Sequence, residues 1–130
     1  MSGLRILVTG SRDVDEAARW LICSVLNATL IDAERGGWAQ GVTIVHGAAR
    51  GVDTVAASWV RPPLVNEGHP ADWAGLGKRA GMVRNLHMVS LGADLCLAFP
   101  RRSSVGTWGC IRAAADAGIP VRIYPLPDVS

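Results

Sequence analysis

Leu95-Cys-Leu-Ala-Phe99 runs straight into Pro100-Arg-Arg-Ser-Ser-Val-Gly106-Thr107, and a helical stretch follows as far as Gly118-Ile-Pro120. An apolar strand, a turn of small residues and a helix in that order bring several backbone N–H groups to one spot. The positive end of the helix dipole adds to them, and such places hold phosphates. The same order recurs upstream. Leu4 to Thr9 is a short apolar strand, and Gly10-Ser11-Arg12 is its turn. Asp13 and Glu16 then have the spacing of a capping box that opens a helix. Ala17, Leu21, Val25 and Ala28 give that helix an apolar stripe, which fades before Gly36-Gly37. Val42 to His46 reads as a second strand, with Gly47 to Gly51 as its turn. A second helix covers Val52 to Val60 and is stopped by Pro62-Pro63. Leu64 to Glu67 is a weaker third strand, and Gly68 to Gly77 a loop rich in Gly and Pro. A third helix is predicted from about Lys78 to Leu91, with Gly92 as its stop. Asp94 to Phe99 is strand four, Thr107 to Ala117 helix four, and Val121 to Tyr124 strand five.

This alternation predicts one α/β domain over residues 1–130: a three-layer, Rossmann-like, doubly wound parallel sheet of about five strands with helices on both faces. Such sheets bind ligands beyond the C-terminal ends of their strands, at the point where the strand order reverses. The bulk numbers agree. A chain of 130 residues, 49% hydrophobic and 18% charged, has the size and apolar content of one ordinary core. The formal net charge is only +2, the basic residues are scattered and aromatic residues make up 5%, which argues against nucleic acid as a partner. Cys23, Cys96 and Cys110 are three, well separated and set in apolar segments, so free thiols in a reducing compartment are expected. Their spacing matches no zinc site, and no metal or other cofactor is expected. The chain enters its first strand without a charged leader, and no apolar run approaches the ~20 residues of a membrane span. A cytoplasmic protein with no membrane partner is the expectation.

Four polar clusters fall at the C-terminal strand ends. In Gly10-Ser11-Arg12 a small residue allows close approach to the backbone, and Arg12 can pair with a phosphate or carboxylate; a plain turn with a surface arginine is the ordinary role. In His46-Gly47-Ala-Ala-Arg50-Gly51-Val-Asp53, two glycines and Arg50 suit an anion near a helix start, Asp53 suits a cap or first turn, and His46 suits a half-buried structural histidine. Trp73 can stack on a base or cover the edge of the core. Lys78, Arg84 and Asn85 fall near one helical face around Gly81, which costs about 1 kcal/mol in a helix interior and makes sense where something packs closely. Ser103, Ser104, Gly106 and Thr107 offer hydroxyls and N–H groups to a phosphate, or a serine cap to the helix.

Taken in order, Gly-Ser-Arg after strand one, His-Gly-x-Ala-Arg-Gly-x-Asp, Ala-Asp-Trp, Gly-Lys-x-Ala-Gly, Arg-Asn and Ser-x-Gly-Thr resemble the YspA-type branch of the SLOG superfamily, which includes the Smf/DprA and LOG proteins. The resemblance runs from about Leu4 to Pro125. It implies a Rossmann-like sheet, a nucleotide or nucleotide-derived ligand, a homodimer, and a bacterial or phage source. The LOG enzymes hydrolyse the N-glycosidic bond of a nucleoside 5′-monophosphate. Their third-helix arginine is matched by Arg84, and their Pro-Gly-Gly-x-Gly-Thr-x-x-Glu is similar to Pro100–Thr107, which is longer and poorer in glycine. The glutamate is absent, because Trp108, Gly109 and Cys110 follow Thr107. Glycosidic cleavage develops oxocarbenium charge that a carboxylate stabilises. A hydrolase would therefore need Asp53, Glu67 or Asp72 in that role, with Arg84 on the sugar phosphate. The leading expectation is a nucleotide-binding protein whose site draws on Gly10, Ser11, Arg12, His46, Gly47, Arg50, Gly51, Asp53, Trp73, Lys78, Arg84, Asn85, Ser103, Ser104, Gly106 and Thr107. Phosphoribohydrolase activity and DNA binding of the DprA kind are the alternatives.

Overall fold

Five strands lie parallel in the computed structural model, which describes residues 3–37 and 41–127. They are β1 (Arg5–Gly10), β2 (Thr43–His46), β3 (Val65–Gly68), β4 (Leu95–Phe99) and β5 (Val121–Ile123), in the spatial order β3-β2-β1-β4-β5. Between them run α1 (Glu16–Arg35), α2 (Val52–Trp59), α3 (Trp73–Leu76), a 3₁₀ turn (Gly77–Arg79), α4 (Ala80–Ser90) and α5 (Val105–Asp116). The chain is a Rossmann-like α/β protein, and its order reverses between β1 and β4.

Side-chain alternation along the strands separates two apolar layers. Ile6, Val8, Ile44, Leu97 and Phe99 point to the side covered by Ala18, Ile22 and Leu26 of α1 and by Val52, Val55 and Ala56 of α2. Leu7, Val45 and Cys96 point to the side covered by Met88 and Val89 of α4 and by Cys110 and Ala114 of α5. Burial on both faces explains why β1 and β4 read as continuous apolar runs rather than alternating ones. β3 is the edge strand and mostly exposed, which is why its sequence signal is weak. β5 closes the other edge, and Tyr124 continues its pairing through a bond to the Ala98 carbonyl.

Two local features differ from expectation. α1 is capped by Asp15, whose carboxylate accepts from the Ala18 N–H at 2.8 Å, and not by Asp13. The Asp13 N–H is instead taken by the Ser11 hydroxyl, which lengthens the turn after β1. The loop after β3 also contains the single helical turn α3, whose Asp72 accepts from the Gly75 N–H at 2.9 Å. A one-turn helix is too short to show a hydrophobic period.

Candidate functional site

The loops after β1, β2, β3 and β4 share one edge of the sheet and are cross-tied there. The Ser11 N–H donates to the Phe99 carbonyl, and the Val52 N–H to the Ser11 carbonyl. Gly51 has φ +83, and its Cα lies so close to the first turn that a Cβ would stand 2.6 Å from Arg12 Cα. Gly10 is pressed between Val52 and the Phe99 carbonyl. Ser11 is buried, and its backbone rather than its hydroxyl joins the loops.

Arg84 and Asn85 lie over this edge from α4. The Arg84 Nη1 donates to the carbonyls of Gly47 and His69, and its Nε donates to Asn85 Oδ1 at 2.7 Å. Asn85 is buried and passes the link on, donating from Nδ2 to the Gly106 carbonyl at 3.3 Å. One adjacent pair thus connects the turn after β2, the segment after β3 and the first turn of α5. A Cβ at Gly47 would overlap the Arg84 guanidinium, so a side chain there would push Arg84 out of its present bonds. The ion pairs among the described residues are Arg5–Glu67 and His69–Glu67, so the half-buried Arg84 belongs to none of them. Its Nη2 has no hydrogen-bond partner among the described residues. Burial pushes the Arg84 pKa down; Asp53 and Cys110 oppose that shift and Arg12 reinforces it.

Asp53 sits beside Arg84 at the start of α2. Its Oδ2 accepts from the N–H groups of Gly47 at 3.0 Å and Ala49 at 3.2 Å, which folds the turn back onto the helix. Burial pushes its pKa up, against those two bonds and the charge of Arg84. A carboxylate whose folded pKa is raised favours the fold while protonated, and that advantage is lost as the pH rises through the shifted range. Asp53→Asn preserves an acceptor oxygen for both N–H groups, whereas Asp53→Ala orphans them at a cost of about 1–3 kcal/mol. Urea midpoints should therefore fall in Asp53→Ala far more than in Asp53→Asn. The wild type should lose stability relative to Asp53→Asn as the pH rises above the ordinary carboxylate range.

The other two candidate carboxylates are committed elsewhere. Asp72 caps α3. Glu67 receives both ends of the Arg5 guanidinium at 3.0 and 2.8 Å, and His69 Nε2 at 2.8 Å. These bonds, Arg5 first, hold the Glu67 pKa down at about 2. The lowered value means that the pair stabilises the fold above pH ~4.5 and ceases to do so as the pH falls toward 2. Partial exposure limits this to about 1 kcal/mol. The stability gap between wild type and Glu67→Gln should be full at neutral pH and close over that acid interval.

His46 is buried with both ring nitrogens engaged. Nδ1 accepts from the Ala48 N–H at 2.9 Å, so Nε2 carries the proton that bonds Asn66 Oδ1 at 2.7 Å. Ala48 itself has φ +54, an unusual value for a residue with a side chain. The Trp73 ring lies against Gly81, with its Cη2 3.3 Å from where a Cβ would be. Gly81 has the close packing its glycine suggested, but it stands in the first turn of α4 and not in a helix interior, because α4 starts at Ala80. Arg12 stands over the same ring, its guanidinium carbon 5.3 Å from the centroid. Arg12 and Arg50 line one cleft of about 410 Å³ together with Arg19, Gly51 and Thr54. Lys78 is exposed in the 3₁₀ turn rather than on α4. Ser103 is exposed; the Ser104 hydroxyl accepts from the Arg101 N–H at 3.0 Å instead of capping α5, and Thr107 is buried. Gly106 faces open space on the side where a Cβ would project.

Two arginines escaped the sequence reading. Arg101 is buried and donates to the Asp13 carbonyl at 3.1 and 2.9 Å and to the Pro127 carbonyl. Nothing in the sequence separates it from its exposed neighbour Arg102. Arg19 stands outside every motif and reaches the cleft only because α1 starts at Glu16. Among the described residues no group of three His, Cys, Asp or Glu side chains converges as metal ligands do, and no helix is long and apolar enough to cross a membrane.

Sheet order and site together define a Rossmann-like α/β protein with a half-buried cation at the C-terminal edge of its sheet. The sequence is 44% identical over 127 residues to the Gene 61 protein of Mycobacterium phage D29, covering 90% of this chain and 93% of that protein. The chain belongs to the family of that phage protein. No protein-family model and no solved structure matches it.

Proposed function

We propose that this protein binds a nucleotide or nucleotide-derived ligand at the C-terminal edge of its sheet, with a phosphate on Arg84. The carrying observation is the state of that side chain: a half-buried guanidinium with an unpartnered Nη2, outside any ion pair, on the C-terminal edge of the sheet, the edge on which doubly wound sheets take their ligands. Burial costs this cation part of its hydration, and an incoming anion on the open Nη2 returns some of that free energy. The uncapped first turn of α5, with Gly106 open beside it, adds N–H donors on the same edge. The ordered motifs that resemble the SLOG superfamily fit this reading, and membership there, with action in the cytoplasm, is part of the proposal. A second reading, N-glycosidic hydrolysis, is favoured by one observation: of the three candidate carboxylates, Asp53 alone stands beside Arg84, with its pKa raised by burial.

Thermal unfolding in the presence of nucleoside monophosphates, cyclic nucleotides and ADP-ribose tests both. A ligand at 100 times its Kd should stabilise the fold by about 2.7 kcal/mol. Stabilisation without release of free base supports a sensor or sequestering protein, and release of base supports the hydrolase. Stabilisation by none of them overturns the proposal.

A further inference from the structure

A second cleft, of about 250 Å³, opens between the segment after β3 and α4. Pro70, Leu76 and Val83 give it carbon walls, and His69, His87 and Arg84 also line it. The two imidazoles meet edge-on, with centroids 5.7 Å apart and planes at 73°. His69 is fixed in that pose: its Nε2 is tied to Glu67, and its carbonyl accepts from Arg84. Asp72 also borders the cleft, with its carboxylate held to the start of α3.

We infer that this cleft receives the base of the ligand whose phosphate meets Arg84, so that the ligand is a nucleotide read by a planar, largely apolar ring at one end and an anion at the other. The inference rests on the reading of Arg84 as an anion site and adds where the base goes. Three observations carry it. Trp73, the sequence's candidate for stacking, already has Arg12 over one face of its ring, so a base stacking on that face would have to displace the guanidinium. The cleft is smaller than the roughly 300 Å³ at which sites for whole drug-sized ligands begin, so it accepts one ring system and leaves the sugar phosphate outside. Arg84 is itself one of the residues lining the cleft, and its Nη2 is the unpartnered donor.

The test compares adenosine, guanosine, cytidine and uridine 5′-monophosphates with ribose 5-phosphate by calorimetry, on wild type and on Val83→Trp. Val83 is 41% exposed on α4, so the larger ring can enter the cleft without rebuilding the core. Wild type should bind at least one nucleotide about ten-fold more tightly than ribose 5-phosphate, the increment expected of a stacked base. Val83→Trp should erase that preference and leave ribose 5-phosphate binding unchanged. His87→Ala, which removes an exposed ring, should reduce the same preference and serves if Val83→Trp does not fold. Nucleotide affinity unchanged in both variants overturns the inference while leaving the anion site standing. Equal binding of nucleotides and ribose 5-phosphate by wild type does the same. Binding of neither class by wild type overturns both.

Discussion

Gly51→Ala is expected to destabilise the protein by at least about 3 kcal/mol. Two independent penalties meet at this residue. Its backbone, at φ +83 and ψ −126, is open to glycine and strained by about 1–3 kcal/mol for any residue with a side chain. The added carbon also overlaps the Ser11 carbonyl and lies 2.6 Å from the Arg12 backbone. Those neighbours are main chain and cannot swing aside, so the first two loops must separate. Against a total stability of about 5–15 kcal/mol, the loss is a large fraction. It should lower Tm by roughly 10 °C or more for a chain of this size. Gly106→Ala is the matched control. It sits in the first turn of α5, and a Cβ there meets nothing within 4 Å. Its stability should be unchanged or raised by up to about 1 kcal/mol, because alanine is the better helix former. A Gly51→Ala protein that melts with wild type would sink the account of how these loops are joined.

Arg84→Met is expected to separate stability from binding. Methionine fills similar space without a charge to desolvate, and the change removes donors from the Gly47 and His69 carbonyls. These effects oppose each other, so stability should move by no more than about 1 kcal/mol. Binding should fall at least about 100-fold, equivalent to about 2.7 kcal/mol, because the charge-assisted bonds to phosphate have no substitute. Arg84→Lys keeps the charge but not the planar fork, and should lie between the two. Titration calorimetry with the nucleotide that stabilises wild type most, alongside urea unfolding, checks both halves. Undiminished affinity in Arg84→Met would remove Arg84 from the site.

Most elements were legible because the inner strands are short apolar runs closed by Gly, Pro or a polar turn and each long helix carries a stripe, whereas the exposed edge strand β3, Val-Asn-Glu-Gly, has no such run. What escaped was local choice among chemically equal neighbours. Asp13 and Asp15 are both good caps; the Asp13 N–H donates to the Ser11 hydroxyl within the turn, and Asp15 caps the helix. Arg101 and Arg102 are adjacent and alike, and only the position of the Asp13 and Pro127 carbonyls buries one of them. For the candidate site, the motifs brought Arg84, Asn85, Gly47, Asp53 and Gly106 into one reading, and the structure sets them side by side. Trp73 was legible as an aromatic near the site, but its partner Arg12 belongs to a different loop, and no pattern in the chain records that pairing. The cleft between His69 and His87 left no signal, since it exists only where α4 passes the end of β3.

The ties between Ser11 and Val52, Gly47 and Arg84, Asn85 and Gly106, and Arg101 and Asp13 make the rim of the crevice a braced frame. A braced frame has little disorder left to surrender. Association would then spend almost none of its enthalpy on ordering loops, and the entropy of capture would be set mainly by the ligand's own lost freedom and the water it displaces.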